Sequence, residues 1–66
     1  MKIKVESRDF KKTIKLPEKS TVKDLMQKLK LRTEDYVISK NKKIVLPDEK
    51  LKDGDEIKLY SVISGG

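Results

Sequence analysis

A chain of 66 residues that is 42% charged and carries a net charge of +6 reads as one small domain. At this size folding buries only about 60% of the surface the unfolded chain exposes, so the core is small and there is no room for a cavity ringed by a full catalytic set. The absence of Cys and His excludes disulfides, thiol nucleophiles, imidazole acid–base catalysis and zinc sites built on those ligands. No apolar run approaches the ~20 residues that span a bilayer, and Met1-Lys2-Ile3-Lys4-Val5 alternates charge with apolarity, unlike a signal peptide. A cytoplasmic protein with no bound metal or cofactor is the expectation.

The basic balance admits three partners: nucleic acid, an anionic membrane surface or an acidic protein. The lysines are spread through nearly every segment and interleaved with Asp and Glu, and only Lys40-Asn41-Lys42-Lys43 is dense. Phe10, Tyr36 and Tyr60 are too few for a base-stacking platform. This pattern disfavours a nucleic-acid module. It reads as a solvated Lys/Glu-rich surface of the kind that suits high temperature.

Ile3 and Val5 alternate with Lys2, Lys4 and Glu6, the period-two signature of a strand with one buried face. Ser7-Arg8-Asp9 has turn chemistry, and Thr13-Ile14-Lys15-Leu16 alternates again before Pro17, which predicts an N-terminal hairpin. Thr21 is placed to N-cap a helix with Asp24 three residues on, in capping-box spacing. Val22, Leu25, Met26 and Leu29 form one apolar stripe, with Lys23, Gln27, Lys28 and Lys30 opposite, so the helix packs by that stripe against the hairpin.

Tyr36-Val37-Ile38-Ser39 predicts a third strand, Asn41-Lys42-Lys43 a turn, and Ile44-Val45-Leu46 a fourth strand ended by Pro47. Asp53-Gly54-Asp55 predicts a tight turn in which Gly54 supplies φ > 0. It launches a last strand, Glu56–Tyr60, with Ile57 and Leu59 inward and Lys58 and Tyr60 outward. The expected architecture is α+β in the order β-β-α-β-β-β, one helix across one face of a mixed sheet. Pairing the last strand parallel to the first buries Ile57 and Leu59 beside Ile3 and Val5. Lys4, Lys58 and Tyr60 then face water, and Tyr60, an exposed aromatic among lysines, is a candidate docking residue.

The chain ends in Val62-Ile63-Ser64-Gly65-Gly66. Two residues without side chains leave a slim tail with an ionised carboxylate, able to thread a narrow channel in a partner and offer that carboxylate to a reactive phosphate. The division expected is a domain over residues 1–63 and a flexible tail over 64–66.

With its Thr21-Val22-Lys23-Asp24-Leu25 helix start, its Leu51-Lys52-Asp53-Gly54-Asp55-Glu56-Ile57 turn and its Gly-Gly end, the whole chain resembles the ubiquitin-like β-grasp sulfur carriers. This is the superfamily of thiamine-pathway ThiS and molybdopterin-pathway MoaD. Its short length and Val-Ile-Ser-Gly-Gly ending look like the ThiS carriers, and it is also similar to short archaeal proteins that serve as modifiers and in tRNA thiolation. The MoaD type shares the Asp-Gly-Asp turn but usually has prolines in the last strand, where this chain has Tyr60-Ser61.

The resemblance implies a carrier rather than an enzyme. A ubiquitin-activating-type enzyme would adenylate the Gly66 carboxylate with Mg-ATP, and a persulfide donor would convert it to a thiocarboxylate for a downstream synthase. Gly65 would give clearance, and Lys58, Tyr60, Val62, Ile63 and Ser64 would dock on the activating partner. Two other readings stay open: a protein modifier joined to lysines through Gly66, and a β-grasp RNA-binding module. A small domain of this kind is expected to be a monomer when free.

Overall fold

The computed structural model describes residues 1–62, and Ile63, Ser64, Gly65 and Gly66 lie outside the described residues. The elements are β1 (Lys2–Glu6), β2 (Lys11–Lys15), α1 (Val22–Lys28), a one-turn 3-10 helix (Thr33–Asp35), β3 (Tyr36–Lys40), β4 (Lys43–Val45) and β5 (Glu56–Ser61). The five strands form one sheet in the order β2-β1-β5-β3-β4. β1 pairs antiparallel with β2, placing Ile3 opposite Ile14. β5 runs parallel to β1, with Val5 beside Ile57, and antiparallel to β3, with Ile38 beside Leu59. The last strand in the chain is therefore the middle strand of the sheet.

The alternation of each strand sends one set of side chains to the helix. Ile3, Val5, Ile38, Ile57 and Leu59 are buried there against Val22, Leu25 and Met26 of α1, with Leu16 and Leu51 closing the ends. The capping box forms as expected: the Asp24 N–H donates to Thr21 Oγ1, and the Thr21 N–H donates to Asp24 Oδ2 at 2.9 Å.

The helix stops one residue earlier than the stripe implies. Leu29 is its C-cap, half-buried, and the N–H groups of Lys30 and Leu31 donate back to the carbonyls of Gln27 and Met26. That is a Schellman ending with a lysine at φ 60° where glycine is usual, so nothing in the composition announces it.

The β3–β4 connection is tighter than the sequence suggests. Lys40 pairs with Lys43, so Lys43 is a strand residue and the loop is Asn41-Lys42 alone. Both have positive φ, 51° and 72°, the arrangement of a type I′ hairpin turn. Leu46 lies past the end of β4 rather than inside it.

Asn41 also ties this turn to the start of β5. Its amide nitrogen donates to Asp55 Oδ1 at 3.0 Å, and its side-chain oxygen accepts from the Glu56 N–H at 3.0 Å. Asp55 Oδ2 accepts from the Lys52 N–H at 2.7 Å, across a turn whose Gly54 sits at φ 85°. Asp55 is buried, so Asp55→Ala leaves two donors short of a partner and is expected to cost about 1–3 kcal/mol of stability by urea unfolding. A loss below about 0.5 kcal/mol, the level of an ordinary surface substitution, would show that the two turns hold without it.

Candidate functional site

β5 places its outward residues in the centre of the face turned away from the helix. Lys58 and Tyr60 stand there, and both are exposed, Tyr60 at 52%. Across the ladder Tyr60 is opposite Val37, and Lys58 is opposite Ser39. Ser39 in turn is opposite Ile44 of β4, which is 75% exposed. Val62, just beyond the strand, is 54% exposed, and its N–H donates to the Asp35 carbonyl at 2.9 Å. The result is a row of apolar groups, Ile44, Val37, Tyr60 and Val62, beside the point where the chain continues into its last four residues.

Of the residues singled out from sequence, Lys58, Tyr60 and Val62 share this face, while Ile63, Ser64, Gly65 and Gly66 lie outside the described residues. Ile44 and Val37 are additions. The sequence shows each as a strand residue, but the face of Val37 follows from its pairing with Tyr60, and that of Ile44 from the two-residue turn at Asn41-Lys42, which sets Ile44 in register with Ser39 and hence with Lys58.

Below Val62, the 3-10 segment is pinned by an ion pair between Arg32 and Glu34 at 2.8 Å. The hydrogen bond from Arg32, reinforced by its charge, holds the Glu34 carboxyl below the usual range, and the same contact raises Arg32. Both side chains are exposed, so solvent screens the pair and it adds little to stability. Lys40 Nζ pairs more tightly with Glu49 at 2.6 Å in a half-buried setting, joining β3 to the loop before β5.

Nothing on the described surface assembles a catalytic group. An open groove at the helix start is lined by Thr21, Lys23, Leu46, Pro47 and Asp48, but its hydroxyl is committed to the capping box. Among the described residues no three acidic or imidazole or thiol groups cluster to hold a metal, and no helix is long and apolar enough to cross a membrane.

A five-stranded mixed sheet gripping one helix, with the last strand at its centre, is the ubiquitin-like β-grasp fold. The family model described as the ThiS family matches residues 1–66, and the chain belongs to that family of small sulfur carriers. Among solved structures it is similar to one titled putative molybdopterin converting factor, subunit 1, from Pyrococcus furiosus. The two are 29% identical with a TM-score of 0.79, over 94% of this chain and 98% of that one.

Proposed function

We propose that this protein carries sulfur as a thiocarboxylate on Gly66, loaded by a ubiquitin-activating-type adenylating enzyme and unloaded by a synthase in thiamine biosynthesis, or in molybdopterin or tRNA thiolation chemistry. The observation behind the reading is the whole-chain family match, which runs through Gly65 and Gly66. We take the exposed row of Ile44, Val37, Tyr60 and Val62 as the seat for that partner, because it precedes the segment that ends in Gly66.

The chemistry divides between partners. A carboxylate is a poor acyl donor, so its oxygen attacks the α-phosphorus of ATP, the bond to the β-phosphate oxygen breaks, and pyrophosphate leaves. A persulfide sulfur then attacks the acyl carbon and expels AMP, giving an acyl disulfide. A thiol cleaves that disulfide, taking the donor's sulfur into a new disulfide and freeing the thiocarboxylate. This chain supplies the carboxylate and its presentation, and has neither thiol nor imidazole to catalyse any step. It acts as a substrate and carrier rather than an enzyme, in the cytoplasm where its partners and ATP are present.

Intact mass of the protein taken gently from its native cells tests the proposal. Exchange of one oxygen for one sulfur, mapped to Gly66, is the expected result. Unmodified carrier together with lysine conjugates bearing this tail would replace it with the modifier reading.

The seat makes its own prediction. Tyr60→Ala is expected to weaken binding to the adenylating enzyme by more than about 1 kcal/mol, as for an aromatic that an interface buries at its centre. Ile44→Ala should weaken it in the same direction, and both should leave folding intact because neither side chain is in the core. Isothermal titration with both variants at wild-type affinity would remove this face from the interface.

A further inference from the structure

The outer face of the sheet is divided. Its β3–β4 side carries the apolar row, while its β1–β2 side carries four lysines with Glu6 and Thr13. Strand alternation and register bring Lys2 and Lys4 of β1, Lys11 and Lys15 of β2, and Lys58 of β5 onto one surface, all exposed, against only Glu6 and Glu56. Among the described residues none of the five lysines forms an ion pair, the ion pairs there being Arg32–Glu34 and Lys40–Glu49.

The fold uses part of this arrangement: Lys11 and Lys58 stand opposite Glu6, and Lys4 stands opposite Glu56, cross-strand pairs of opposite charge that stabilise a sheet. Lys2 and Lys15 stand directly opposite one another, and like charges in that position destabilise a sheet. Lysines on an edge strand guard against edge-to-edge pairing, which accounts for those on β2. It does not account for Lys2, because β1 lies between β2 and β5 and the residue opposite Lys2 on β2 is Lys15.

We infer that this basic half-face is a steering surface for a protein partner, matched to a carboxylate-rich rim beside that partner's apolar seat. The inference rests on the docking proposed above and names the charge of the surface that receives it. The lysines and the apolar row share one side of the sheet with Lys58 between them, so a partner approaching Tyr60 and Ile44 enters the field of the lysines too. Charges placed around such a seat act mainly on the rate of encounter, while the apolar contacts set how long the complex lasts. An acidic protein rim fits better than a nucleic acid, because the cations adjoin aliphatic groups and a single tyrosine rather than a set of stacking rings.

The test is stopped-flow association of the full chain with the adenylating enzyme of the same organism, at low salt and at about 0.15 M, where screening sets in beyond roughly 8 Å. A variant with Lys2→Gln, Lys4→Gln, Lys11→Gln and Lys15→Gln is expected to associate about tenfold more slowly at low salt. It should also show a flatter salt dependence and little change in dissociation rate. Arginine at the same four positions should restore the wild-type rate, and Tyr60→Ala should instead speed dissociation.

An association rate and salt slope equal to wild type in the glutamine variant would overturn the inference. So would salt-sensitive binding of a poly-uridine probe that the glutamine variant loses while its association with the enzyme is unchanged. Failure of the unsubstituted chain to bind the enzyme at all would overturn the docking reading itself, and this inference with it.

Discussion

A chain lacking Gly66 is expected to fold as the full chain does and to lose adenylation by at least a hundredfold. The core runs from Ile3 to Leu59, so removing one residue beyond it should leave the melting temperature unchanged. The reacting carboxylate, however, moves back along the chain by one residue, about 3.3–3.6 Å when extended. Displacing a reacting group by about 1 Å already costs on the order of 10² in rate when geometry is fixed elsewhere. In the proposed docking it is fixed by the seat: counted from Val62, four extended residues reach at most about 14 Å, and three cannot make up the difference. ATP–pyrophosphate exchange with the adenylating enzyme reads the rate, and circular dichroism on heating reads the fold. Exchange at the wild-type rate would sink the proposal that Gly66 is the reacting residue.

That prediction depends on where the sheet places its last strand. β5 joins the two halves of the molecule, parallel to β1 and antiparallel to β3, so the segment that follows starts from a strand held on both sides. The turn at Asp53-Gly54-Asp55 fixes the start of that strand. The Lys2 N–H donates to Asp53 Oδ1 at 2.7 Å and the Gly54 N–H donates to the Lys2 carbonyl at 2.8 Å, while Asn41 locks Asp55 and Glu56 from the other side. Position along the strand is therefore set by polar contacts near its beginning, while the outward side chains near its end stay exposed.

Much of this was legible in the sequence, for identifiable reasons. Alternation in Ile3/Val5 and Ile57/Leu59 and the 3–4 spacing of Val22, Leu25 and Met26 state which side of each element is buried, because burial is what those patterns record. Thr21 and Asp24 state where the helix starts. Its end was not legible, since Lys30 adopts a left-handed conformation without the glycine that would signal it. The 3-10 turn at Thr33–Asp35 gives no apolar period to read. Ile44 and Leu46 looked like a strand's apolar content, yet they are 75% and 71% exposed. Periodicity assigns residues to a face but cannot say whether anything covers it. The apolar part of the candidate site was missed for that reason, while Tyr60 was singled out because an aromatic among outward lysines is conspicuous by composition alone.

The core makes the largest stability prediction. Leu25→Ala is expected to cost about 2–5 kcal/mol, the range for emptying a buried leucine site, because Leu25 is wholly buried at the middle of α1. A domain of this length has a total stability of only about 3–10 kcal/mol at 0.05–0.15 kcal/mol per residue, so the substitution removes a large share of it. Alanine is the best helix former, so the loss reports packing and not helix propensity. The seven-residue helix is far below the ~12–15 residues at which isolated helices become even marginal, which makes it dependent on the sheet it covers. At about 4–8 °C per kcal/mol for a domain of this size, Tm should fall by at least about 8 °C. Exposed Lys28→Ala, on the same helix, should stay within about 0.5 kcal/mol of wild type. Below its own Tm the Leu25→Ala protein should still be adenylated, since it keeps both the seat and the tail, which separates loss of fold from loss of function. If Leu25→Ala and Lys28→Ala melted together near the wild-type temperature, the helix would not be what closes this core.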